Sequence, residues 1–307
     1  MLNIAYITGR LDNRIEWFFD SLERQANGQD CWDDLKVIVV DRIRGRTFDG
    51  TNLKCQFLHV VPKPCVWQGR HRLTKQDYFA VANARNTALC LAEDGYIAYV
   101  DDLSVLMPEW LSRVRTAQAE NNIYMGAYKK VYNLKVENGI AVSYEERASG
   151  IDSRWNTGND NGPVPSTGSA LFGCSMAVPV QAFLNINGWD EDCDCCGLGG
   201  EDSMAGIMLS HQPWKIYYDR RMLTLESEEL HHVGEHPIRR IETKPGGKDA
   251  SWVMLEMVQS GNRNRAPNYF GEGGIAALRQ RVLAGEPFPI MQIPQNNWYS
   301  GVPLSEL

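Results

Sequence analysis

Two acidic pairs and a run of histidines carry most of the chemistry available to this chain. The first pair, Asp101 and Asp102, closes the segment YIAYVDDLS, residues 96 to 104. The apolar run before it reads as a buried strand. Both carboxylates therefore arrive at a strand's C-terminal end, where open α/β sheets bind ligands. Adjacent carboxylates repel unless a cation lies between them. Mg²⁺ or Mn²⁺ carrying a diphosphate would satisfy them, because these ions take oxygen ligands. A plainer role is a solvated turn in which Asp102 caps the next helix. The second pair, Glu201 and Asp202, follows the glycines of GLGGEDSM, residues 197 to 204. Negative charge is favoured at a helix start. A carboxylate held there beside a glycine loop can act as a base, or simply as a cap. The third group is LHHVGEH, residues 230 to 236, with three of the six histidines. Gly234 and Pro237 argue against a helix that would set His232 and His236 as a zinc pair. One histidine joining the carboxylates at a metal is the better reading, and a packed or surface pair is the alternative.

These residues need a scaffold, and the apolar pattern supplies one. NIAYIT (3 to 8), LKVIVVDR (35 to 42), CQFLHVV (55 to 61) and YIAYV (96 to 100) read as strands. Near-continuous apolar runs of this kind belong in a sheet covered on both faces. Helices are expected at 15 to 25 and at 77 to 93, the latter capped by Asp77, and another begins near Pro108. Further along, 122 to 134 and the WKIYYD segment suit strands, and 201 to 212 suits a helix. Strand, helix, strand at the start is the opening of a doubly wound sheet. Residues 149 to 168, rich in Gly, Asn, Ser and Pro, offer nothing for a core and read as a mobile lid or a disordered excursion. After residue 240, helices are plausible at 249 to 261 and 273 to 285, followed by a Pro-rich tail that could reach a neighbouring subunit.

Several classes are excluded or disfavoured. The net charge of -7 gives no general attraction to nucleic acid or anionic membranes. The N-terminal apolar run is short and meets Arg10 and Arg14, unlike a signal peptide, and no apolar stretch is long enough to span a bilayer. A cytoplasmic protein is the expectation. The eight cysteines are too sparse for a disulfide scaffold, and the cluster at 193 to 196 lacks a partner CxxC. There is no P-loop, no G-x-G-x-x-G after the first strand and no complete nucleophile elbow.

Taken together, ITGRLDNR, the strand ending at Asp41, ARNTALCLAEDGYIAYVDDLSVLMPEWL (84 to 111) and FLNINGWDEDCDCCGLGGED (183 to 202) resemble the GT-A fold glycosyltransferases, family-2-like with a galactosyltransferase-type C-terminal region. The resemblance implies an α/β fold of GT-A type, a Rossmann-like mixed central sheet flanked by helices. It implies a catalytic domain over 1-240, with a nucleotide-binding half at 1-120 and an acceptor half at 121-240, and a helical, Pro-rich extension at 241-307. It implies a metal-dependent, inverting transfer of sugar from a nucleotide-sugar, a UDP-sugar above all, to an acceptor hydroxyl on a glycan, protein, small molecule or modified nucleic acid. Thr8, Gly9, Arg10 and Asp41 would form the base pocket and Arg85 would lie near the donor phosphates or sugar. Asp101 would contact ribose or sugar. Asp102, with His231 or His232, would hold Mn²⁺ or Mg²⁺. Leu103 stands where the usual motif has a third acid. Asp202 would be the catalytic base, Glu201 would hold donor or acceptor hydroxyls, and Trp189 would offer an aromatic platform to the sugar. The competing readings are a sugar-phosphate nucleotidyltransferase, for which TGRLDNR is a poor signature, and an inactive nucleotide-sugar-binding protein.

Overall fold

A computed structural model describes residues 1–48, 53–64, 80–195, 200–232, 256, 258–266, 268 and 270–289, without the side chains of 195, 231 and 232. The first strands are β1 (Leu2–Thr8), β2 (Leu35–Asp41), β3 (Gln56–Val60) and β4 (Tyr96–Asp101). They lie in the order β3-β2-β1-β4, all parallel. Every residue of β1 and β2 is buried, which explains their unbroken apolar runs. Alternation still sorts the two faces. Ala5, Ile7, Ile38, Val40, Ile97 and Tyr99 enter one core layer, and Ile4, Tyr6, Val37, Val39, Ala98 and Val100 enter the other.

Helix α1 (Ile15–Gln29) covers the second layer through Ile15, Phe18, Phe19 and Leu22, as its spacing requires. Helix α2 (Val81–Leu91) lies under the first layer with ten of its eleven residues buried. Its cap comes from far away. Asp194 accepts the backbone N–H groups of Ala82 and Asn83 at 3.0 and 2.9 Å. The expected cap, Asp77, lies outside the described residues.

Beyond β4 the sheet becomes mixed. It continues through β5 (Ser104–Leu106), β6 (Ile123–Glu137), β9 (Ser175–Pro179) and β10 (Ile216–Ser227) in the order β4-β9-β6-β10-β5. Helix α3 (Trp110–Glu120) packs on the α1 side; α4 (Val180–Asn185) and α5 (Glu201–Ser210) pack on the other. A long strand β7 (Ile140–Ile151) pairs with β6 as a hairpin that the sequence reading did not anticipate.

Residues 149 to 168 are neither a lid nor a disordered excursion. Asp152 is buried and takes a bidentate fork from Arg154 at 2.9 and 2.6 Å. Arg154 also donates to the carbonyls of Gly126 and Ala170, between the rings of Phe172 and Tyr218. The strand β8 (Val164–Pro165) pairs with β10. Gly168 packs so closely on Gly206 of α5 that a Cβ on either would strike the other's carbonyl. Two of its polar residues, Asp152 and Arg154, satisfy each other inside the fold, while the others stay wholly or partly exposed.

After β10 comes a short helix, α6 (Glu228–His232). The later helix α7 (Gly274–Leu283) and residues Val258 and Phe270 share the α2 core rather than forming a separate one. The Pro-rich tail lies outside the described residues. Among the described residues, no helix is long and apolar enough to cross a membrane.

Candidate functional site

The parallel strands end together. Thr8 pairs with Asp41, and Ile7 with Asp101, so the C-terminal edges of β1, β2 and β4 form one rim. Chain order reverses direction between β1 and β4, which is where open sheets bind ligands. Gly9 is buried at this rim and carries the chain from Thr8 into Arg10.

Asp102 is held on both oxygens. Thr8 Oγ1 donates to Oδ2 at 2.9 Å, and Arg10 Nε donates to Oδ1 at 3.0 Å. Burial pushes this carboxyl above the usual aspartate range, while Arg10 and Thr8 pull it back. Leu103 has a left-handed φ of 63° and is fully buried. The third position of the acidic run therefore points into the core, where an acid would be an isolated charge. Asp101 points outward, its side chain 35% exposed, and accepts from Arg85 Nη2 at 3.3 Å.

Arg85, from α2, ties the two acidic pairs together. Its Nη1 donates to Glu201 Oε1 at 3.0 Å. Burial opposes its charge, but Asp101, Glu201 and Asp202 more than restore it and raise its pKa above the ordinary value. Asp202 stands beside Glu201 at the start of α5. Its oxygens accept the backbone N–H of Ser203 at 2.7 Å and of Gly173 at 3.4 Å. Burial and the neighbouring Glu201 charge push its carboxyl up to about 7, against the lowering effect of Arg85. Gly173 has no room for a side chain, since a Cβ would collide with the Arg85 guanidinium.

Two expected roles change. Trp189 is fully buried; Arg85 lies 4.6 Å over its ring and Phe183 stacks on it at 5.0 Å. With its faces covered, it props Arg85 instead of presenting a platform to a sugar. Asp41 is also fully buried. It accepts the Ile43 N–H at 2.9 Å and pairs with Arg46 at 3.0 Å and His59 at 3.5 Å. Burial raises its pKa, and these three groups lower it again. Asp41 thus organises the chain beyond β2, where Arg46, His59 and Phe48 are partly exposed and the Phe48 and His59 rings lie 4.6 Å apart. Sequence reasoning missed these three residues. The basic run after β2 and a lone histidine in β3 were the available signals. The side chains of His231 and His232 lie outside the described residues.

No protein-family model and no curated protein matches the chain. Solved structures do. The S. aureus TarS fragment 1–349 in complex with UDP aligns with a TM-score of 0.54 and 12% identity, over 92% of this chain and 70% of that one. GalNAc-T7 with UDP, GalNAc and Mn²⁺ aligns with a TM-score of 0.51 and 10% identity, over 84% of this chain and 48% of that one. The fold is of the GT-A type. The chain spans only 36% of a longer TarS chain, so the likeness concerns this fold and not the whole of such proteins.

In this GT-A fold the expected divalent ion can be tested against its proposed ligands. Asp101 and Asp102 offer the right oxygen chemistry. However, both oxygens of Asp102 are engaged by Thr8 and Arg10, and Leu103 removes a third donor. No group of three or more potential ligands comes together among the described residues. Among the described residues, Asp101 and Asp102 do not by themselves fit Mn²⁺ or Mg²⁺; the histidine side chains expected to join them lie outside the described residues.

Proposed function

We propose that the chain is a glycosyltransferase that moves a sugar from a nucleotide-sugar, with UDP as the nucleotide, to an acceptor hydroxyl with inversion at the anomeric carbon. The observation that carries this reading is the Asp101–Arg85–Glu201 bridge with Asp202 beside it. A GT-A rim suited to a nucleotide diphosphate is joined through one guanidinium to Glu201, and the carboxyl next to it in the chain, Asp202, has a pKa of about 7 that suits a base at neutral pH. UDP in both aligned neighbours supports the choice of nucleotide.

In this reading Asp202 accepts the acceptor's hydroxyl proton as that oxygen bonds to the anomeric carbon. The bond from that carbon to the diphosphate oxygen breaks, and the electron pair leaves with UDP. Arg85 and Arg10 stabilise the departing charge. Glu201, fixed by Arg85, positions sugar or acceptor hydroxyls. Arg46, His59 and Phe48 line the base pocket. No step is routed through a metal ion.

The test is UDP calorimetry, followed by a panel of UDP-sugars assayed for UDP release. Binding of UDP and slow hydrolysis of at least one UDP-sugar are expected. Absence of UDP binding would sink the proposal, and binding without release from any sugar would favour a binding protein.

A further inference from the structure

The resemblance implies a divalent ion on Asp102, completed by a histidine at 231 or 232. The structure puts a guanidinium in that position. Arg10 reaches from the end of β1 to Asp102 at 3.0 Å and, through Nη1, to the carbonyl of Leu230 at 3.3 Å. Leu230 immediately precedes the two histidines. Arg10 therefore bridges the strand end to the segment expected to complete a metal shell. A cation placed on Asp102 would have to displace it against like-charge repulsion.

The placement is built into the fold. Thr8 Oγ1 fixes the second oxygen of Asp102 and also accepts the Arg10 backbone N–H at 3.4 Å. Arg46, itself paired with buried Asp41, donates to the carbonyls of Arg10 and Leu11. The loop carrying Arg10 is thus clamped to the end of β2. Leu103, turned into the core, withdraws the third acidic donor from this edge. A guanidinium is charged at all working pH values and matches phosphate oxygens with a planar fork.

We infer that Arg10 is the cation of the donor-diphosphate subsite, so that UDP binds without a divalent metal; this rests on the nucleotide-sugar reading above. Asp102 and Thr8 are then positioning residues that hold Arg10 toward the phosphates.

The test titrates UDP and uridine into the full chain by calorimetry, in EDTA and in MnCl₂, for the wild type, Arg10→Gln and Arg10→Lys. Wild-type affinity for UDP in EDTA is expected to stay within about threefold of that in Mn²⁺. Arg10→Gln should weaken UDP binding in EDTA by about tenfold or more, the size of a lost charge-assisted hydrogen bond, and Arg10→Lys should recover part of it. Uridine, which lacks phosphate, should bind Arg10→Gln as it binds the wild type; a merely structural role for Arg10 would weaken uridine too. A wild-type loss above about thirtyfold in EDTA would overturn the inference and leave the nucleotide-sugar reading standing. So would unchanged UDP affinity in Arg10→Gln, or equal losses for UDP and uridine. If neither UDP nor uridine binds the wild type in either buffer, both claims fall.

Discussion

Two acidic clusters, each tied to an arginine, both contact α2, and they behave differently. In one, Asp101, Glu201 and Asp202 surround Arg85 at the sheet rim. In the other, Asp190 and Asp192 close on Arg263 at 2.7 and 2.6 Å, Glu191 takes Lys63 at 2.7 Å, and Asp194 caps α2. A raised pKa does not separate them. Burial and like charge push Asp190 up to about 7, as burial and Glu201 do for Asp202. Exposure separates them. The four acids of the second cluster are at most 3% exposed, whereas Asp101, which accepts from Arg85, is 35% exposed. The second cluster is a clasp between the 187 to 194 loop, α2 and the C-terminal region. The first keeps one carboxylate, Asp101, open to solvent. Acidic density in a sequence does not distinguish the two clusters; the exposure of Asp101 does.

The comparison can be broken most sharply at Asp202. Asp202→Asn should lower kcat by about 10²–10⁴-fold, the usual worth of a general base, while UDP binding persists. Near-normal turnover would move the base elsewhere. Next in size, Arg263→Ala strands two buried carboxylates and should cost about 3–5 kcal/mol in a denaturant titration. A stable Arg263→Ala with impaired kinetics would mean the clasp reaches the site. The smallest effect is a matter of pH. Asp202 must lose its proton to act as a base, and its pKa is raised, so kcat/KM should rise with pH up to about 7 and flatten above it. In Asp202→Asn this limb should disappear. An acid limb near the ordinary aspartate range would show that burial and Glu201 do not act on the base as described.

Much of the scaffold was legible because its signals are local. The unbroken apolar runs of β1, β2 and β4 announced strands buried on both faces, and Asp41 and Asp101 marked their ends. Helix α5 was readable from the glycines and acids before it. The segment 149 to 168 was misread because its order draws on partners outside it in sequence: Gly126 and Tyr218 around the Asp152–Arg154 pair. Composition cannot show that a polar loop is satisfied by groups it meets only after folding.

The sequence by itself determined the doubly wound beginning, the rim position of Asp101 and Asp102, and the helix-start position of Glu201 and Asp202. These follow from periodicity and chain order. Only the tertiary structure decided what those groups are bonded to. It turned Leu103 inward, slid Trp189 beneath Arg85, enclosed Asp41 behind Arg46 and His59, and laid Arg10 across Asp102. The physical reason is that a carboxylate's chemistry depends on its nearest charges and its access to water. Strand register and loop clamping, rather than neighbours in the chain, set both.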